Sequence, residues 1–381
     1  MDIHEIRNSV LQWLSTMAVD EKQIKYKFSK NSGDSLFSSC FALFILDLFK
    51  ETDNLSERQK IDWSDYINSF QKKEDGLFYP EPIYHHDKER AVYQVTSFCL
   101  SALSILEKKP RYRLAVVDKW RSPECVEKYL SERGCHLGMG GSGNKAMFQA
   151  IFLTHEYEET ADETLKQSIN AWFAFHDKHQ NEFGFWGKSG RLYYGVQNAF
   201  HQFVIYDYWN RTYHKIEKIV ETIRHIQGKD GHFSPIPGGN TCKDYDAIHF
   251  LTCSEFDQSR RVIFDKIKKA MFLCQNNDGG FCENKLKPIK LIKLPYLLSF
   301  AFNGYNSALT KYRITSIAKE LLKAKKLKQR KWVKEGQPWN ESTLWDTWFR
   351  MLTMAEISVC LDHNLSDFRF HKHIGLGYFK K

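Results

Sequence analysis

Two carboxylates, Asp244 and Asp246, open an apolar stretch just after a loop rich in proline and glycine, Ser234 to Asn240. At that spacing one acid can be held neutral while its neighbour carries charge, because burial and a nearby like charge both raise a carboxyl pKa. A carboxylic acid kept neutral is a proton donor for general-acid chemistry. His249 follows Asp246 by three residues, on adjoining helix surface, and His201 sits in the preceding apolar stretch; both are fit to orient such an acid. Other residues of substrate-binding type gather at the starts of apolar stretches: His86 and Arg90; Tyr194, Gln197 and Asn198; Tyr245; and the indoles Trp186 and Trp345. The plainer expectation makes Asp244 a helix N-cap and Asp246 a first-turn acid that complements the helix dipole.

The elements that must position these residues recur along the chain. Seven apolar stretches with helical periodicity begin near Phe37, Gln94, Lys145, Val196, Asp244, Leu294 and Thr343, roughly fifty residues apart, a spacing typical of stacked helical units. Between them lie more amphipathic segments, such as Leu165 to His176, Ile216 to Ile226 and Val262 to Cys274. Their apolar residues recur at i, i+3 and i+4, as one buried helix face requires. A turn signature links the two kinds of segment. Gln180 to Trp186 fits Q-x-x-x-G-x-W, and Gln227 to Phe233 and Gln275 to Phe281 repeat it with phenylalanine. Weaker copies stand at Asp75 to Phe78 and Gly336 to Trp339. Glycine permits the left-handed backbone that ends a helix, and glutamine can satisfy exposed backbone groups there.

These three motifs in one register resemble the repeat superfamily of squalene–hopene-type terpene cyclases and protein prenyltransferase beta subunits. The resemblance implies an all-α fold: a single (α/α)6–7 toroid over residues 1–381, with inner helices whose N-terminal ends converge on one mouth. The family's ring usually has six inner helices, so a terminal hairpin, about 1–50 or 310–360, is expected to cap it. Asp244-Tyr245-Asp246-Ala247 is similar to the D-x-D-D motif of proton-initiated cyclases but lacks the last acid. By that match Asp246 is the proton donor and Asp244 the neighbour that raises its pKa, with His249 or His201 as orienting partner. Tyr194, Gln197, Asn198, Tyr245, Arg90, His86, Trp186 and Trp345 would line the substrate site. The protein prenyltransferase zinc order, Asp-x-Cys, is reversed here as Cys242-x-Asp244, so no metal or other cofactor is expected, with zinc and magnesium left open.

Composition sets the remaining bounds. Hydrophobic residues make up 42% and charged residues 27%, which suits a large core. Nine cysteines, odd in number and scattered, fit reduced thiols. A cytoplasmic protein is expected. There is no phosphate-binding G-x-x-x-x-G-K-[ST] loop, no G-x-S-x-G elbow and no H-E-x-x-H helix, which disfavours nucleotide hydrolysis, serine hydrolysis and zinc proteolysis. The net charge of +9 is partly local, in a lysine-rich stretch from Lys319 to Lys334. It is expected to be a solvated helix face or to attract anionic membrane or phosphorylated ligands, and no nucleic-acid partner is expected. Three functions compete. One is a terpene cyclase-like isomerase acting on a small hydrophobic isoprenoid; another is a carbohydrate lyase, hydrolase or epimerase using His201, Tyr194, Arg90 and Asp246; the third is a non-catalytic binding scaffold.

Overall fold

The computed structural model describes every residue except 1–2, 81–82, 84–86, 189–191, 255–257, 324–326, 331–332, 363–366 and 377–381. Among the described residues fourteen α-helices form and no strand, only isolated bridges. They are α1 (Ile3–Met17), α2 (Leu36–Leu48), α3 (Glu57–Asn68), α4 (Lys88–Ile105), α5 (Pro123–Glu132), α6 (Ser142–Thr160) and α7 (Glu163–His179), followed by α8 (Leu192–Tyr208), α9 (Ile216–Ile226), α10 (Thr241–Cys253), α11 (Gln258–Phe272), α12 (Leu294–Phe302), α13 (Ser307–Leu321) and α14 (Leu344–Asp362). Each apolar stretch is a helix starting within a few residues of its expected place. The largest shift is at α4, which begins at Lys88 because Asp87 caps it by accepting the Arg90 amide at 3.0 Å.

One stretch departs from the others. Helices α2, α4, α6, α8, α10 and α14 are largely buried, whereas the nine residues of α12 leave Leu294, Leu298 and Phe302 exposed. Six stretches, not seven, are therefore interior helices. No described helix is long and apolar enough to cross a membrane.

The turn motif works as a clamp. In each copy the glutamine Nε2 donates to the carbonyl of the motif glycine: Gln180 to Gly184 at 3.1 Å, Gln227 to Gly231 at 2.8 Å, Gln275 to Gly279 at 3.1 Å. The same amide reaches a second carbonyl further along the chain, that of His214 from Gln180 (3.0 Å) and that of Ile263 from Gln227 (3.2 Å). The weak copy holds a clamp of this kind as well, with Gln71 on Gly76 and Tyr112 at 2.8 and 2.7 Å. All four glycines have positive φ, from 77° to 97°, the conformation that only glycine takes at no cost. The motif aromatics Phe78, Trp186, Phe233 and Phe281 are buried behind the turn.

The residues fall into two compact units. In the first (Met1–Glu51, Gly190–Tyr193, Val220–Arg369), α14 packs between α10 and α2. Phe41 and Phe44 of α2 meet Trp345 and Trp348 of α14 in an aromatic cluster that Phe349 extends, with centroids 4.9 Å apart for Phe44–Trp348 and 5.2 Å for Phe41–Trp345. Helices α12 and α13 pack on each other through Leu297, Phe300 and Ile317. Arg313, fully buried, fastens them with donations to the carbonyls of Phe300, Asn303, Ile226 and Gln227. In the second unit α6 packs between α4 and α7, and the Trp172 indole donates to the Ala146 carbonyl at 2.9 Å.

A β-carbon on Gly279 would lie 2.3 Å from the Ser9 carbonyl oxygen, at φ +97°, whereas one on Gly33 would meet nothing within 4 Å. Gly279→Ala should therefore cost about 2 kcal/mol or more, while Gly33→Ala should stay within about 0.5 kcal/mol of wild type; urea unfolding of the two variants side by side checks the contrast.

Candidate functional site

In the first unit the site grows from the start of α10. Asn240, not Asp244, is the N-cap: its side chain accepts the Lys243 amide and also donates to Glu283 at 2.6 Å. Asp244 sits one turn inside the helix with no accessible surface. One of its oxygens accepts the Phe233 amide at 2.8 Å; the other meets His232 Nδ1 at 2.8 Å and the Arg350 guanidinium at 2.5 Å. Thr96 and Thr347 do the simpler part of this task elsewhere, accepting the amides of the motif aromatics Phe78 and Phe281 at 3.0 and 2.9 Å. Asp244 is thus the charged version of a repeated cap.

The charge has electrostatic consequences. Burial by itself would raise the Asp244 pKa, but His232 and Arg350 overcome it and hold the carboxyl below its usual value. For His232 burial opposes the charge, and the Asp244 carboxylate outweighs it, lifting the imidazole to about 10. Arg350 also donates to the Glu283 carbonyl at 3.0 Å. Glu283, in turn, pairs with Lys328 and Arg330, and Arg330 reaches on to Asp346. Thr241 and Thr343 complete the Asp346 shell at 2.9 and 2.7 Å.

Asp246, two residues on, is treated oppositely. It is 3% exposed, and its Oδ2 has no hydrogen-bond partner. Burial raises its pKa well above the usual value, Asp244 adds to the rise, and the charges of His249 and Lys243 only partly offset it. The result is an acid biased toward its neutral form next to a clamped anion.

His249 does not hydrogen-bond to that acid. Its Nδ1 pairs with Glu356 at 2.9 Å, and Glu356 also accepts from Tyr245 (3.1 Å) and Thr252 (2.8 Å). Burial opposes charge on His249, while Cys253 and Glu356 hold its pKa well above the ordinary one. It reaches Asp246 only as a nearby charge. Tyr245 is buried with its ring 5.4 Å from Phe349, and Phe349 in turn lies 4.5 Å from Trp345. Trp345 and Phe349, at 9% and 8% exposure, are the least buried of these rings.

The second unit assembles the other expected residues into a directional chain. Arg90 Nη2 donates to Asn144 Oδ1 at 2.7 Å, which turns the Asn144 amide nitrogen toward His201 Nε2 at 2.6 Å. His201 Nδ1 lies 2.5 Å from the Gln197 carbonyl; that contact assigns the proton to Nδ1 and leaves Nε2 as acceptor. Asn198 ties the first turn of α6 to α8 by accepting the Gly143 amide at 3.2 Å, and donates to the Met139 carbonyl just before it at 3.4 Å. Tyr194 is 42% exposed on the first turn of α8. Trp186, expected at a substrate site, is instead in the core, its indole donating to the His176 carbonyl at 2.9 Å. His86 lies outside the described residues.

His232, Glu283, Arg330, Asp346, Arg350 and Glu356 join the site without a motif or spacing that marks them as functional. A signal existed in α14: Asp346, Arg350 and Glu356 interrupt an otherwise apolar helix, and a buried charge demands a partner. The protein prenyltransferase zinc set does not fit these residues. Both Asp244 oxygens are taken, one by a guanidinium, and among the described residues no three His, Cys, Asp or Glu side chains gather to hold a metal ion.

Tandem helical hairpins closed by glutamine–glycine turns define a toroid-repeat protein of the α/α class. The prenyltransferase alpha-alpha toroid domain matches residues 6–171 and 98–288, and the chain belongs to that family. No curated protein sequence matches it. Among solved structures it is similar to the type II terpene cyclase MstE from Scytonema, at 12% identity and TM-score 0.46 over 74% of this chain and 82% of that one. A polysaccharide lyase gives 10% identity and TM-score 0.48 over 96% and 100%. A protein geranylgeranyltransferase-I from Candida albicans, complexed with GGPP, gives 11% identity and TM-score 0.33 over 93% and 91%.

Arg350→Met should destabilise the protein by about 3–5 kcal/mol, since it strands a buried Asp244 charge. The pH dependence follows from the signs. His232, raised in the folded state, stabilises fully below 6.5 and loses that contribution as pH rises toward about 10; Asp244, lowered, stabilises above 3.8 and loses it in acid. Urea unfolding across pH 6 to 10 should therefore show a decline, worth about a few kcal/mol, that a His232→Gln variant lacks.

Proposed function

We propose that the protein is a protonation-initiated cyclase of an isoprenoid chain, with Asp246 as the acid. One observation carries the reading: two carboxylates a single residue apart are driven in opposite directions, Asp244 clamped by His232 and Arg350 and pulled down, Asp246 buried with an unpartnered oxygen and pushed up toward its neutral form. Environments that push two acids apart in this way separate the proton donor from the structural charge. Asp246 delivers its proton to a terminal alkene carbon; the π pair forms the new C–H bond and leaves a tertiary cation. The next alkenes close rings onto that cation, and loss of a proton to water ends the sequence. The Asp246 carboxylate left behind is eased by the nearby charges of His249 and Lys243. Trp345, Phe349 and Tyr245 supply ring faces, each worth up to about 2 kcal/mol to a desolvated cation.

The test is incubation of the purified protein with farnesyl, geranylgeranyl and longer prenyl diphosphates, with cyclised products read by mass spectrometry. Asp246→Asn should lower turnover by at least about a hundredfold while leaving the urea midpoint unchanged or raised, because it removes an acid that is costly to bury. Absence of turnover on every prenyl substrate, or full activity in the variant, overturns the reading.

A second reading, acid–base chemistry on a carboxylate-bearing sugar, draws support from the Arg90–Asn144–His201 chain. Arg90 can neutralise a carboxylate and Asn144 can hydrogen-bond one, and His201 Nε2, on exchanging the Asn144 amide for substrate, is an acceptor able to take the proton beside that carboxylate. On that reading a uronate polymer yields an ultraviolet-absorbing unsaturated sugar at a rate that His201→Ala lowers about a hundredfold or more. An unchanged absorbance on all uronate polymers removes it.

A further inference from the structure

Helix α12 has two apolar faces. Leu297, Phe300 and Ala301 face inward and pack with Ile289 and Ile317. Leu294, Leu298 and Phe302 recur every four residues and so form one row along the opposite side; their exposures are 63%, 47% and 64%. Leu291, just before the helix, and Tyr305, just after it with its ring stacked on His225, are exposed as well, at 82% and 59%. A soluble surface rarely leaves five large apolar side chains exposed within fifteen residues, three of them in one row, and such a patch marks an interaction site.

The charge along this stretch of chain says what kind of partner the row takes. Between Lys285 and Lys323 the chain holds seven lysines, Lys285, Lys287, Lys290, Lys293, Lys311, Lys319 and Lys323, against one carboxylate, Glu320. Glu320 is already engaged by Lys287 at 3.3 Å and Lys323 at 2.8 Å. Lys290 and Lys293 flank Leu291 and Leu294 directly and are exposed. Apolar side chains in a row with ammonium groups beside them match a bilayer surface, where acyl chains take the former and anionic headgroups the latter. A protein partner would need carboxylates opposite those lysines and a groove for the row.

The position adds an independent point. The family match ends at residue 288, and this patch begins at Leu291. The α12–α13 hairpin is also the one element pair whose apolar stretch does not join the six buried helices. Its inner face and the Arg313 anchor account for its attachment, and they leave the outer row unexplained by folding.

We propose that α12 docks the protein on an anionic lipid surface, with Leu291, Leu294, Leu298, Phe302 and Tyr305 entering the acyl boundary and Lys290 and Lys293 lying among the headgroups. Binding is peripheral and does not depend on which substrate the protein turns over.

The experiment is co-sedimentation of the full chain with sucrose-loaded vesicles of phosphatidylcholine alone or with phosphatidylglycerol, at low and high salt. The expected result is binding to the anionic vesicles that weakens with salt and is slight on phosphatidylcholine. The Leu294→Ser, Phe302→Ser double variant should bind at least about tenfold more weakly, and Lys290→Glu with Lys293→Glu should abolish the preference for phosphatidylglycerol. All four positions are exposed, so the variants should keep the wild-type unfolding midpoint. Equal binding of wild type and double variant, or no binding to either vesicle, overturns the proposal. A dimer in gel filtration that the double variant disperses also overturns it, assigning the row to a second copy of the chain.

Discussion

The constraint on which the structure rests is that a helix end leaves carbonyls and amides without partners, and a protein of many short helices has many such ends. Here the cost is met by one device used repeatedly. A glutamine amide bonds the carbonyl of a left-handed glycine in its own turn and, at Gln71, Gln180 and Gln227, a second carbonyl well ahead in the chain. A side chain on the following interior helix then takes the amide of the motif aromatic. Turn, packing aromatic and next helix are thereby fixed together, and the helix so fixed presents its first turns to whatever chemistry the protein performs.

The candidate site is a modification of that device. Where other repeats cap the aromatic amide with threonine, the α10 repeat uses Asp244, and a buried carboxylate brings obligations that a hydroxyl does not. His232 and Arg350 answer the charge, Glu283 and Arg330 extend the network, and Asp346 closes it at α14. A fixed negative charge then stands beside Asp246 and helps keep that acid protonated. The structural cap and the proposed proton donor are coupled through electrostatics, although no hydrogen bond between them is needed.

The helices and their order were legible in the sequence because periodicity and turn chemistry are local. The Gln180, Gln227 and Gln275 motifs gave the register, and α9 falls at the residues its amphipathic pattern marks. Asp244 and Asp246 could be singled out, since two acids opening an apolar helix are unusual. Arg350, which pairs with Asp244, and Glu356, which pairs with His249, could not, because they lie more than a hundred residues away, where only packing of α14 on α10 brings them into contact; His232, twelve residues before Asp244, passed as part of the turn motif. His249 looked like a partner for Asp246 by spacing alone, yet Glu356 claims it. Trp186 was expected at the substrate site as an aromatic ring, but burial of the motif aromatic is part of the turn itself. The stretch at Leu294 misled for a related reason: its apolar residues are as dense as those of a core helix, and only the third dimension reveals that half of them face outward.

Arg313 gives the molecule a further property. One guanidinium gathers the last carbonyls of α9 and α12 together with the Tyr193 hydroxyl, a joint made almost wholly with backbone oxygens. A joint of this kind asks little of the side chains around it, so the sequence of the α12–α13 hairpin is free to drift while its attachment persists. The hairpin is in that sense an exchangeable fitting: the interior helices can keep their chemistry while selection rewrites the surface that the fitting presents.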